Sequence, residues 1–227
     1  MQKSAASAQP SIITLLIGVI IAAAWPIVFY NLIVGAHLPA VTSIICSQLG
    51  YWVELAFLWW YADQFENQPL LIWQERQSGF KFILKWAIIL FVLTVAINLL
   101  SSVMSLLGFP QNKELARQIA RFMNGRWLLI TTIATTAGVT EEIIFRGYIL
   151  TRLSVVLKHK YLPIVISAVL FSSMHYSYHS AHEFLFTFLF AVIMAVHYQK
   201  YRNIKPLIAA HLLFDWLGFT FLHYFVK

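Results

Sequence analysis

The chain has 227 residues, 60% of them hydrophobic and 11% charged, whereas a soluble domain carries about 25% charged residues; the class left is an all-α, polytopic transmembrane bundle. The formal charge of +7 is carried by short basic connections between apolar runs, a positive-inside placement that argues for a lipid bilayer as partner and against nucleic acid. Cys46 is the one cysteine in the sequence, which excludes an internal disulfide.

In chain order, residues 12–34 form the first expected span. Lys3, the apolar run and Ala22-Ala23-Ala24 imitate a signal peptide, but the run continues through Trp25, Pro26 and Phe29 to Val34, reaching the roughly 20 residues of a spanning helix. The second span, 40–61, contains Glu54 among aromatic residues, read as a structural partner or the lining of a wet crevice ahead of a direct catalytic role. Trp59, Trp60 and Tyr61 close it as an interfacial belt. Residues 63–79, with Asp63, Glu66, Glu75 and Arg76, read as a polar loop. A third span, 80–107, ends at Gly108-Phe109-Pro110. Residues 111–126 then interleave Leu115, Ile119, Phe122 and Met123 with Lys113, Arg117, Arg121 and Arg126, the pattern of an interfacial amphipathic helix.

The fourth span starts at Trp127 and continues to about Leu157, longer than the hydrocarbon core, so its last turns with Arg152 and Lys158 are expected in water. A fifth follows at 164–176, then a connection free of Lys and Arg, a sixth at 183–198, a basic connection with Lys200, Arg202 and Lys205, and a seventh at 206–225 opening near Pro206. The expectation is thus about seven spans, within six to eight, enclosing a polar cavity. Residues 1–227 read as a single membrane domain, with N-terminal spans and the interfacial helix in 1–126. The basic connections place the N-terminus in the cytoplasm, and a bacterial inner or plasma membrane fits; the basic residues of 111–126 fall on the opposite side.

The fourth span carries Glu141, Glu142 and Arg146. Each ionisable side chain at bilayer depth costs about 2.5–3.5 kcal/mol, so the cluster calls for pairing, water or a chemical purpose. Glu142 and Arg146 are four apart and can pair on one helical face; Glu141 has Phe145 at the equivalent position, which leaves its carboxylate freer to act as a general base. His175 follows Phe171 by four residues, and Asp215 follows His211 by four. At about 1.5 Å per residue, Glu141, His175 and His211 lie roughly 17, 20 and 10 Å from the cytoplasmic ends of their helices, depths that allow one shared cavity.

These residues also resemble a known family. Glu141-Glu142-Ile143-Ile144-Phe145-Arg146, Phe171-Ser172-Ser173-Met174-His175 and His211-Leu212-Leu213-Phe214-Asp215 are similar to the EExxxR, FxxxH and HxxxN/D motifs of the CAAX prenyl protease and bacteriocin-processing (CPBP, or ABI) family of intramembrane proteases. The resemblance covers 127–220. It implies a helical fold with a conical cavity and an endopeptidase acting on a membrane-proximal peptide or lipidated protein, prenylated CAAX-type substrates included. Carried over, Glu141 activates water with His175, Glu142 and Arg146 hold the site together, and His211 with Asp215 stabilises the oxyanion. Zinc on His175, His211 and Glu141 and a metal-free glutamate mechanism are both open, metalloproteases having been described in the family. Two departures stand out. Asp215 occupies a position where the family often has Asn, and an ionised Asp only accepts hydrogen bonds. Bulky Phe190-Ala191-Val192-Ile193-Met194 occupy a region where glycines are usual, which suggests a narrower channel. The alternatives to a protease are a non-enzymatic immunity or scaffold protein of the same fold and an ion or proton transporter, the latter weakened by the lack of an internal repeat.

Overall fold

The structure, a computed structural model, describes residues 10–109 and 111–225; Lys3 and Pro110 lie outside them. Among the described residues there are eight helices and no strand: α1 (Ile12–Gly35), α2 (Ala40–Glu66), α3 (Phe80–Leu107), α4 (Lys113–Met123), α5 (Trp127–Leu157), α6 (Leu162–Ser173), α7 (Ala181–Tyr201) and α8 (Lys205–Phe225). Helices α1, α2, α3, α5 and α7 are long and apolar enough to cross a membrane. Helix α6 is apolar but has 12 residues, about 18 Å of rise against a hydrocarbon core of about 30 Å. It is too short for a full crossing, and His175 lies two residues beyond its end.

Local sequence sets the ends. The Ser11 hydroxyl accepts from the Ile13 N–H at 3.1 Å and caps α1; Asn112 Oδ1 accepts from Leu115 N–H at 3.1 Å and caps α4. Helix α2 runs on past Tyr61 with π-type hydrogen bonding over Ala62–Glu66 and ends at Asn67, whose φ of 52° is left-handed. The polar loop expected from residue 63 therefore begins four residues later.

Burial ranks the helices. Half of the apolar window of α5 is enclosed, against 22% for α1 and 17% for α2, so α5 is the central helix and α1–α3 present their surface outward. Ile13 and Ile20 of α1 are 69% and 64% exposed, a surface suited to acyl chains and not to water. The core gathers Phe145, Tyr148, Ile149 and Leu150 of α5 with Phe171 of α6, Met194 and Tyr198 of α7 and Leu207 of α8. Helices α6 and α7 pack together, α3 packs on α7 and α8, and α8 lies along α5.

One end of the bundle is stitched by the 67–79 connection. Glu66 and Arg152 are both fully buried: Arg152 donates to Glu66 Oε2 from Nε at 3.0 Å and from Nη2 at 2.7 Å, and Tyr148 Oη donates to Glu66 Oε1 at 2.6 Å. The remaining guanidinium donors go to the carbonyls of Leu70 at 2.6 Å and Pro69 at 3.0 Å and to the Thr151 hydroxyl at 3.3 Å. This corrects the expectation that Arg152 emerges into water: a buried guanidinium needs its donors met, and here a loop folds over it to meet them. Glu75 pairs with Lys205 at 2.8 Å at the same end. Helix α4 lies at the other end, where Asn112 Nδ2 donates to the carbonyl of Tyr178 at 3.2 Å. The basic residues of 111–126 therefore do sit opposite those of 200–205.

Candidate active site

Within α5, the stretch Ala137–Leu150 adopts π-type hydrogen bonding, a register associated with functional sites. Periodicity of apolar residues does not encode it. Residues four apart still share a face, and Arg146 Nη1 stands 3.1 Å from Glu142 Oε1 with both side chains buried. The approach is at ion-pair distance but off the line of an N–H hydrogen bond. The guanidinium is held instead between aromatic faces, 4.5 Å from the Phe171 centroid and 5.3 Å from that of Phe190.

Helix α8 brings in His211 because a glycine lets it close. A Cβ on Gly138 would stand 3.0 Å from the backbone N of Leu212, closer than a side-chain carbon ordinarily comes, so glycine lets the two helices approach without displacement. His211 then places Nδ1 2.9 Å from Glu142 Oε1, and Nε2 3.5 Å from Asp215 Oδ2 and 4.0 Å from Glu141 Oε2. The Phe190 ring meets the imidazole edge to face at a centroid distance of 4.9 Å. With a carboxylate at each ring nitrogen, His211 suits the doubly protonated form, in which both nitrogens donate.

Sequence reasoning placed Glu141, Glu142, Arg146, His211 and Asp215 in one site, and the structure gathers all five. His175 stands to one side. Its Nδ1 is 3.1 Å from the Phe171 carbonyl, which leaves Nε2 as the outward nitrogen when Nδ1 is the donor, and it lies within electrostatic range of His211 and Asp215. Among the described residues no three His, Cys, Asp or Glu side chains are gathered as ligands of one metal ion; in the set Glu141, His175 and His211, the His211 Nδ1 is already taken by Glu142. Phe171 and Phe190 were not read as site residues. Phe190, one of the bulky residues expected to narrow the channel, packs its ring against Arg146 and His211.

The fold and cluster define a class: a multi-pass helical membrane protein with a buried carboxylate–histidine site. Residues 123–217 match the family model for Rce1-like proteins, type II CAAX prenyl endopeptidase Rce1-like. All three motifs lie inside that match, so the resemblance to the CAAX prenyl protease and bacteriocin-processing family is borne out, and the match supports a CAAX-type intramembrane protease in general. The match covers less than half of the 227 residues and leaves α1–α4 almost wholly outside. No curated protein and no solved structure matches the chain.

Proposed function

We propose that the protein is an intramembrane endopeptidase in which the Glu141 carboxylate activates water for attack on a peptide bond of a membrane-proximal substrate, CAAX-type prenylated peptides being the first to try. The observation that carries this is the charge balance of the cluster. Arg146 and His211 supply two cations against the carboxylates of Glu141, Glu142 and Asp215, and Glu141 is the one held furthest from its cation, at 4.0 Å. A carboxylate that close to compensation yet not hydrogen-bonded by it remains basic enough to take a proton from water.

The other groups divide the remaining work. Glu142 anchors Arg146 and Nδ1 of His211, so the imidazolium is fixed in orientation. Its Nε2–H, which faces Asp215 Oδ2 at 3.5 Å before substrate enters, then turns to the oxyanion that forms as water adds to the carbonyl. Asp215, unable to donate when ionised, acts by holding His211, a role that suits Asp at this position without asking it to touch the oxyanion. His175, through Nε2, orients the attacking water. A bacterial inner or plasma membrane with the 67–79 end in the cytoplasm is the setting proposed.

The test is cleavage of candidate peptides by membranes carrying Glu141→Ala, His175→Ala or His211→Ala. Cleavage undiminished by all three overturns the proposal and favours a non-enzymatic role. A metal chelator is expected to leave the wild-type rate unchanged; loss of activity restored by added zinc would move water activation from Glu141 to a metal.

A further inference from the structure

Peptide hydrolysis needs a second proton transfer. After water has added, the departing nitrogen must be protonated as the C–N bond breaks. Within the cluster on α5 and α8 the group that can return a proton is Glu141, once it has taken one from water; helix α2 holds a second carboxyl.

Glu54 of α2 is fully buried, and neither carboxyl oxygen has a hydrogen-bond partner among the described residues. The structural partner expected for it is therefore missing. The charged group within its electrostatic range is Glu141, another carboxyl. Tyr51, three residues earlier and on the same helical face, lies within range of both Glu54 and Glu141 and of Tyr178. The face of α2 bearing Tyr51 and Glu54 is thus turned toward the site, and Trp52 Nε1 ties this helix to α5 by donating to Thr136 Oγ1 at 3.1 Å. An ionised carboxylate buried with no cation and no donor is too costly to hold, so Glu54 is carried as the neutral acid, with an O–H to give. Two carboxyls in contrasting surroundings, one beside cations and one beside none, are how acid and base roles are separated at one site.

We propose that Glu54 is the general acid of the reaction, which rests on the reading of Glu141 as its base. Water passes one proton to Glu141 as its oxygen bonds to the carbonyl carbon. On collapse the C–N bond breaks, and the nitrogen's electron pair takes the Glu54 proton. The proton on Glu141 then returns to Glu54 through water. Both carboxyls are restored, and one water has been consumed in forming a carboxylic acid and an amine. Helix α2, outside the matched segment, supplies half of the acid–base pair.

The experiment compares the intact protein with Glu54→Gln, Glu54→Leu and Glu141→Gln on a peptide that the wild type cleaves and on its analogue with an activated ester in place of the scissile amide, whose leaving group departs without a proton. Both Glu54 variants are expected to lose amide cleavage by about 10²–10⁴-fold, the usual scale for general acid–base catalysis, while ester cleavage is retained; Glu141→Gln loses both. Full amide cleavage by either Glu54 variant overturns the proposal, as does equal loss on both substrates, which would mark a structural role. Should Glu141→Gln cleave both substrates normally, the base assignment fails and the acid assignment goes with it.

Discussion

At the scale of single residues, adjacent glutamates hold unequal positions. Glu142 is within 3.1 Å of Arg146 and 2.9 Å of His211, whereas Glu141 has no contact closer than 4.0 Å to a cationic group among the described residues. Removing the Glu142 charge leaves a buried guanidinium without its carboxylate, a loss of about 3–5 kcal/mol for pairs of this kind. Glu142→Gln should therefore lower both thermal stability in detergent and cleavage, while Glu141→Gln should abolish cleavage with an unchanged melting temperature. Equal destabilisation by the two would contradict the division. Asp215 gives a finer case: the Asn side chain keeps an oxygen that accepts from His211 Nε2–H, so Asp215→Asn should retain more activity than Asp215→Ala, read as kcat/KM. The motif positions were legible because an ionisable side chain in an apolar run stands out by cost alone. Phe190 was not, since an aromatic residue in an apolar helix carries no such signal until its neighbours Arg146 and His211 are known.

At the scale of elements, helix bounds followed from the apolar runs: α1, α3 and α5 start and stop within a residue or so of the expectation. What the runs do not encode is hydrogen-bond register and pairing across distance. The π stretch of α5 preserves the four-residue pairing of Glu142 with Arg146, so the site was readable even though its register was not. The Glu66–Arg152 pair joins residues 86 positions apart, and each looked like an ordinary charge at the edge of a polar segment. Gly138 shows how an element boundary sets chemistry. An added Cβ would meet the Leu212 backbone at 3.0 Å, and backbone cannot swing aside as a flexible side chain can. Gly138→Ala should push α8 from α5 by a few tenths of an ångström and carry His211 away from Glu142, lowering cleavage by less than the roughly 10²-fold that a misplacement of about 1 Å would cost. The check is kcat/KM beside a melting curve: a rate loss larger than the stability loss explains is the expected result, and an unchanged rate would show that the helix contact does not position His211.

For the whole molecule, the matched segment 123–217 contains every motif residue but not everything that holds them. Tyr148 and Arg152 of α5 satisfy their polar groups on Glu66 of α2 and on the 67–79 connection, Trp52 reaches Thr136, and Val19 and Ala22 of α1 with Leu58 of α2 sit in the same core as Tyr148 and Ile149. Without α1, α2 and the 67–79 connection, Arg152 would lose both its carboxylate and its carbonyl acceptors, and breaking a buried pair by removing one partner costs about 3–5 kcal/mol. A chain starting at Lys113, although it retains the whole Glu141–His211 cluster, should therefore accumulate poorly and cleave nothing. Co-expressing residues 1–109 as a separate piece should restore activity in part, because the contacts between the two halves, side-chain bonds and packing together with the Arg76 N–H bond to the Tyr201 carbonyl, do not need the 109–113 peptide to be continuous. The two arms separate the causes: rescue by the wild-type fragment but not by one carrying Glu66→Ala assigns the requirement to the Glu66–Arg152 contact. Full activity of the shorter chain on its own would show that α1–α3 are dispensable to the site, and would remove Glu54 from its chemistry at the same stroke.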